Sequence, residues 1–309
     1  MNDLHRDTHL ATKRPHADKP VDVAGVRITH PGRVVYPDDG ITKGEVAAYY
    51  AAVADWILPG LINRPLSMVR CPGGTDSACF FQKHHAAKLG SSVRPIPLEE
   101  KDGGEDDYVY ISDRKGLLQL VQMNTIEFHP WGSRVDKPDS PDRIVLDLDP
   151  APGVAWEAVV EGARGIRELL AGMQLTSFVR TSGGKGLHVV VPFRRGPRWQ
   201  AVKDFCERVA VAMVERAPDR YIATASKAQR EGKIFIDWLR NARGATSVCS
   251  WSLRARDGAP VAMPLRWEEL GKVDSGAAFG MQAALERASR LRTDPWEGMA
   301  TLQQRLPRG

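Results

Sequence analysis

Two acids stand two residues apart at the end of an apolar run. In "RIVLDLDPAPG", Asp147 and Asp149 follow Ile144, Val145 and Leu146 and precede Pro150. A β-strand turns residues i and i+2 to one face, so both carboxylates project to the same side at the strand's C-terminal edge, close enough to share a cation. Isolated buried carboxylates are costly unless paired or metal-bound. A helix cap or turn start is the bland explanation of such a pair, but the apolar run before it favours a strand end. Pro150 and Ala151 exclude the phosphatase-type DxDx(T/V) pattern. Asp237 repeats the arrangement after Ile234-Phe235-Ile236, with Arg240 and Arg243 close behind. Alone it would read as a surface Asp–Arg pair. Three strand-end acids, however, are what two-metal phosphoryl-transfer sites use to hold cations ~3.5–4 Å apart.

A second segment, "RTSGGKGLHVVVP", puts a glycine-rich turn between two apolar runs. Such a turn exposes backbone N–H groups able to cradle phosphate oxygens. No GxxxxGK[ST] string fits and a strand follows, so it is not a P-loop. A plain hairpin would leave Lys185 in solvent. Ser182 and His188 flanking Lys185 add the hydroxyl, imidazole and ammonium donors that a triphosphate needs. In "CFFQKHH", Phe80 and Phe81 point to opposite faces if extended, so one is expected at the surface, where it could stack on a base. Cys71, Cys79, His84 and His85 lack the CxxC or HxxxH clips of structural zinc.

The elements that must carry these groups fit a chain of 309 residues with 42% hydrophobic and 26% charged content, enough for one large domain or two lobes. No apolar run approaches the ~18 residues of a membrane span. The first 20 residues are polar, without a signal-peptide apolar region, and are expected to be a disordered leader. The four cysteines read as reduced cytosolic thiols. The net charge of +5 is modest and tilts only weakly toward an anionic partner. "VDVAGVRITH" predicts a strand, and "ITKGEVAAYYAAVADWILPGL" a helix opened by Thr42 with Glu45 as a capping box. "PLSMVRCP" and "DYVYIS" predict strands, "RKGLLQLVQMNTIEF" a helix, and "EEKDGGEDD" a solvated loop. A helix in "AWEAVVEGARGIRELLAGM", strands "TSFVRT" and "LHVVVP", a helix over about 200–215, strand "KIFIDWL", an arginine-rich hairpin region and a helix over 277–291 complete the pattern. The hairpin joins antiparallel strands, so the class is α+β or mixed α/β.

Taken in order, "DLDP", "SGGKGLHV" and "FIDWLRN" resemble the polymerase domain of bacterial non-homologous end-joining ligases, within the archaeo-eukaryotic primase superfamily. The likeness runs from about Gly25 to the final helix. It implies a primase-type core with an RRM-like antiparallel sheet (about 141–300) beside an N-terminal lobe (about 21–140). It also implies a ribonucleotide-preferring, template-directed nucleotidyltransferase that fills gaps and extends ends with NTP or dNTP and two Mn2+ or Mg2+ ions. Position by position, Asp147, Asp149 and Asp237 match the family's metal ligands, and Ser182, His188 and Arg254 its triphosphate contacts, with Arg240 and Lys185 in the same pocket. His129 in "EFHPWGSR" matches an active-site histidine, Phe80 and Phe81 a base-stacking pair, and His30, Arg33 and Lys43 the ligands of a downstream 5′-phosphate. Implied partners are DNA ends or gapped duplex, a ligase domain in the same or another chain, and the Ku end-binding protein, in the bacterial cytoplasm at the nucleoid. No K-x-D-G ligase lysine motif is present, so a stand-alone polymerase or the polymerase portion of a larger ligase is expected. Two other classes compete: an end-bridging module with vestigial acids, and a DxD glycosyltransferase, which would leave Asp237 without a purpose.

Overall fold

The structure, a computed structural model, describes residues 18–85, 89–100 and 103–307. Residues 1–17 of the expected leader lie outside the described residues. The N-terminal half opens with a tight hairpin, β1 (Val21–Val23) and β2 (Val26–Ile28), where one continuous strand was expected. Ala24 and Gly25 both take positive φ, and Asp22 Oδ1 accepts from Gly25 N at 2.9 Å, so the sequence turns on itself there. A second short pair, β3 (Val34–Tyr36) and β4 (Ile41–Thr42), leads into α1 (Lys43–Ala52) through the expected Thr42–Glu45 capping box. The helix breaks at Val53, and α2 (Ala54–Leu61) follows as a separate element.

Strands β5 (Leu66–Arg70), β6 (Phe80–Gln82), β7 (Val93–Glu99) and β8 (Glu105–Ile111) build an antiparallel sheet. The acidic stretch expected as a loop is largely the end of the β7–β8 hairpin. Helix α3 (Arg114–Gln122) stops earlier than expected, because Asn124 adopts φ +66° and the β-branched Thr125-Ile126 pair then starts β9 (Thr125–Pro130) against β5. The reduced-thiol reading fails at Cys71 and Cys79, which form a disulfide joining the residue after β5 to the residue before β6; Cys206 and Cys249 are free and buried.

The C-terminal half centres on β10 (Arg143–Pro150). Helix α4 (Trp156–Gly172), the hairpin of β11 (Phe178–Thr181) and β12 (Leu187–Pro192), and α5 (Trp199–Arg216) follow. Strands β13 (Tyr221–Ile222), β14 (Ile234–Asp237) and β15 (Pro264–Leu265) complete a six-stranded sheet in the order β13-β14-β10-β12-β11-β15, antiparallel except for β13–β14. Helix α6 (Met281–Arg290) packs later in the chain. Residues 240–256, expected as a hairpin, run as irregular chain pinned by Asn241, whose side chain bonds the Val145 amide and carbonyl at 2.8 Å each. The expected mixed α/β class with an RRM-like antiparallel sheet is what forms.

Alternation divides the large sheet. Ile144, Leu146, Leu148, Leu187, Val189 and Val191 are fully buried on the side of α4, whose Gly162 lies against Leu148. The opposite face carries Arg143, Asp147, Asp149, Arg180 and His188. Gly186 ends the β11–β12 turn where a Cβ would meet the Leu148 carbonyl oxygen at 1.8 Å. Gly186→Ala should therefore destabilise the protein by about 3 kcal/mol, while Gly172→Ala, with nothing within 4 Å of the added Cβ, should not. Urea unfolding of the two variants checks both.

Candidate active site

The register of the sheet brings the three aspartates together. Asp147 lies directly opposite Asp237 on β14 and directly opposite His188 on β12, and Asp149 follows two residues on along the same face. Arginines and one buried imidazole answer this concentration of charge. Arg240 Nε stands 3.0 Å from Asp237 and 3.5 Å from Asp147, His188 Nε2 is 3.4 Å from Asp147, and Arg230 reaches Asp149 at 3.4 Å. Burial pushes the Asp147 carboxyl up, but His188, Arg240 and Arg254 outweigh it and hold the group below its usual range. Asp149 and Asp237 are raised, by burial first and with Asp147 as a like charge beside each. Burial and neighbouring charge together set each of the three groups.

His188 is fixed from behind. Arg180 Nε–H donates to its Nδ1 at 3.1 Å, so the ring must carry its proton on Nε2, facing Asp147. Burial depresses the His188 pKa despite Asp147, which keeps the ring neutral. Arg180 also donates to Ser250 at 3.3 Å and Ser247 at 3.1 Å. A parallel arrangement sits on β9, where Glu127 accepts from His129 at 2.7 Å, from Arg254 Nε at 2.9 Å and from the Ala255 amide at 2.8 Å. Arg254 in turn donates to the Ser182 carbonyl. Glu127 and Arg180 escaped the sequence reading. The signal for Glu127 was present: it precedes His129 by two residues, the same alternation that pairs Asp147 with Asp149.

A polar cavity of about 280 Å³ is lined by His129, Asp147, Asp149, Ser182, Lys185, His188, Arg240 and Arg254. Asp237 stands beside it, paired with Arg240. The glycine turn differs from expectation in one respect: the Gly184 and Gly186 amides donate to Ser182 Oγ at 3.2 and 3.1 Å, so those two N–H groups close the turn. The turn's side-chain donors are then the Ser182 hydroxyl hydrogen and the Lys185 ammonium. Phe80 and Phe81 are both exposed, at 44% and 66%, and the Phe81 ring lies 5.3 Å from that of His129.

His30, Arg33 and Lys43 form a separate group away from this cavity. The Lys43 amide donates to the Arg33 carbonyl at 2.8 Å and the Arg33 amide to the His30 carbonyl at 3.1 Å. Lys43 is the first residue of α1 and is 4% exposed; burial, and then Arg33, lower its pKa to about 8. Among the described residues no carboxylate pairs with Lys43. A tight cluster of His84, Glu100 and Asp106 lies beyond β6, with Lys83 already bonded to Glu100 at 2.6 Å.

A family model described as LigD, primase-polymerase domain, matches residues 42–296. The chain belongs to the LigD primase-polymerase family. It is 39% identical over 285 residues to the multifunctional non-homologous end joining protein LigD of Pseudomonas aeruginosa, covering 92% of this chain and 34% of that protein. It is 26% identical to the bifunctional non-homologous end joining protein LigD of Bacillus subtilis, covering 86% of this chain and 43% of that one. The chain thus spans about a third to under half of these relatives. Among solved structures, the polymerase domain of Mycobacterium tuberculosis ligase D in complex with DNA superposes with a TM-score of 0.82 at 30% identity, covering 89% of this chain and 98% of that domain.

Glu127 is depressed to about 2 because the His129 and Arg254 contacts overcome its burial. A folded pKa below the ordinary value of 4.5 gives stability that is complete above about pH 4.5 and lost as pH falls toward 2. Glu127→Gln should remove roughly 3 kcal/mol at neutral pH and flatten that acid limb. Urea midpoints from pH 3 to pH 7 read both effects.

Proposed function

We propose that this chain is a template-directed nucleotidyltransferase of bacterial end joining, extending DNA ends and filling gaps with ribonucleotides in preference to deoxyribonucleotides. The observation that carries the reading is the placement of Asp147 opposite Asp237, with Asp149 on the same face, beside the Ser182–His188 turn. The donor set fits divalent cations: three carboxylates whose present counter-charges are Arg240, exposed and able to turn away, and Arg230, held 3.7 Å over the Phe235 ring and reaching Asp149 alone. Asp147, Asp149 and Asp237 would hold two Mn2+ or Mg2+ ions. Bound there, the ions supply a more acidic primer 3′-hydroxyl and neutralise charge on the triphosphate.

The remaining steps belong to the protein. His188, neutral and with its Nε2 proton facing the acids, orients Asp147. Lys185, the Ser182 hydroxyl, Arg254 and the displaced Arg240 present positive charge and donors to an NTP or dNTP triphosphate, and preorganised charge of this kind dominates phosphoryl transfer. His129 approaches the nucleotide from β9, and Phe80 and Phe81 stack on bases. Lys43, Arg33 and His30 grip a downstream 5′-phosphate: Lys43 is a buried ammonium at a helix N-terminus, a setting that favours phosphate. Residues 21–300 act as one primase-polymerase domain, N-terminal lobe and catalytic core together, with a ligase domain and Ku as partners. The names of the relatives, all end-joining proteins, support it. Among the described residues no helix is long and apolar enough to cross a membrane.

Asp147→Asn and Asp237→Asn should each reduce Mn2+-dependent extension of a gapped duplex by at least about 10³-fold with the fold retained. Extension by either variant at the wild-type rate would contradict the assignment. A second outcome concerns the 5′-phosphate. Lys43 has a folded pKa of about 8, so the ammonium is lost as pH rises through that value. Affinity for 5′-phosphorylated gapped DNA should therefore fall between pH 7 and pH 9, while affinity for the dephosphorylated duplex changes little. Fluorescence anisotropy at constant ionic strength measures both.

A further inference from the structure

The catalytic face of the large sheet continues past the aspartates into a second, larger cavity of about 490 Å³. It lies at the other end of β10 and β12, where Arg143 pairs with Pro192, roughly 13 Å along the strand from Asp147. Helix α2 and the segment after Trp296 close its sides.

Six arginines line this space against two carboxylates, of which Asp142 is committed to arginines and Asp294 is bonded to the backbone. Asp142 binds Arg64 at 2.7 and 2.8 Å and Arg134 at 3.0 Å. Asp294 accepts from the Trp296 amide at 2.8 Å. Among the described residues no carboxylate pairs with Arg143, Arg180 or Arg194. Arg143 has only backbone carbonyls, those of Gly60 at 3.1 Å and Trp131 at 3.2 Å. Burial, and then the neighbouring Arg64, lower its pKa to about 9. The carboxylate that acts on it, Asp142, is shared with Arg64 and Arg134, and a buried guanidinium so weakly compensated calls for an anion. The remaining walls include the indoles of Trp56 and Trp296, and Arg180 lies 5.8 Å over the Trp296 ring.

We propose that this cavity is a second nucleotide site, taking a free nucleoside monophosphate with its phosphate against Arg143 and Arg194 and its base against the indole-bearing wall. The guanidinium fork matches a phosphate, and indoles accept any base by stacking. The volume suits a ligand of that size. A monophosphate fits better than a triphosphate because the wall offers one carboxylate outside an ion pair, Asp294, too few to hold the cation that a triphosphate carries. The site is distinct from the catalytic cavity yet shares a wall with it, since Arg180 bonds Ser250 on this side and Ser247 and His188 on the other.

The test is calorimetric titration of the full chain with AMP in buffer containing a chelator, so that no divalent cation loads the catalytic acids. One saturable AMP per chain is expected. Arg194→Glu, an exposed position, should weaken it by at least about tenfold, as should Arg143→Gln if that variant folds. Asp149→Ala and Arg254→Gln, in the catalytic cavity, should leave it unchanged. Ribose 5-phosphate should bind at least about tenfold more weakly than AMP, because it lacks the stacking base. Three results would overturn the proposal: no saturable AMP binding, binding that Arg254→Gln removes and Arg194→Glu does not, or equal affinity for ribose 5-phosphate. The titration requires no extension activity, so its failure is separable from failure of the polymerase reading.

Discussion

Two carboxylates directly opposite each other on neighbouring strands repel, and a sheet accepts that pairing only where counter-charge is at hand. Asp147 and Asp237 occupy such a pair, and Asp149 adds a third charge on the same face. Much of the surrounding structure offsets this one conflict. His188 and Arg240 face Asp147, Arg240 also holds Asp237, and Arg230 reaches Asp149. The apolar face of the same strands, buried against α4 and α5, supplies the packing that keeps the register from slipping. A slip of one residue would exchange the acids for Leu146 and Leu148.

Behind the acids stand two chains of positioning contacts built on the same logic. Arg180 fixes the proton of His188 toward Asp147, and Glu127 fixes His129 and Arg254 from the N-terminal sheet. Both histidines are buried and neutral, since burial depresses each pKa more than its carboxylate raises it. The cavity is therefore a pre-charged bed in which the exposed cations are Arg240, Lys185 and Arg256. That division suits chemistry in which positioning and charge do the work and no covalent intermediate is needed.

The sequence exposed this site well where the signal was periodic. Alternation after an apolar run was enough to put Asp147 and Asp149 on one face and Asp237 at another strand end, and the glycine-rich hairpin appeared where the letters suggested. The mixed α/β class was equally legible in the interleaved strand and helix patterns, while the RRM-like sheet followed from the family resemblance. Glu127 and Arg180 were not, because a charged residue in an apolar strand gives no hint of which neighbour it will meet across the sheet. Boundaries failed where one residue's backbone decided the outcome, as at Ala24, Val53 and Asn124. The Cys71–Cys79 link depended on a close approach that spacing alone does not reveal. Nor did the glycine turn disclose that Ser182 takes up two of its own amides.

Counting bound Mn2+ by electron paramagnetic resonance, in the presence of a nucleoside triphosphate, tests most directly whether these carboxylates act together. The account requires about two ions per chain, with Asp237→Asn losing at least one of them while its circular dichroism stays that of the parent. Unchanged Mn2+ binding by Asp237→Asn would contradict it, because the cross-strand pair would then have no part in holding the metal.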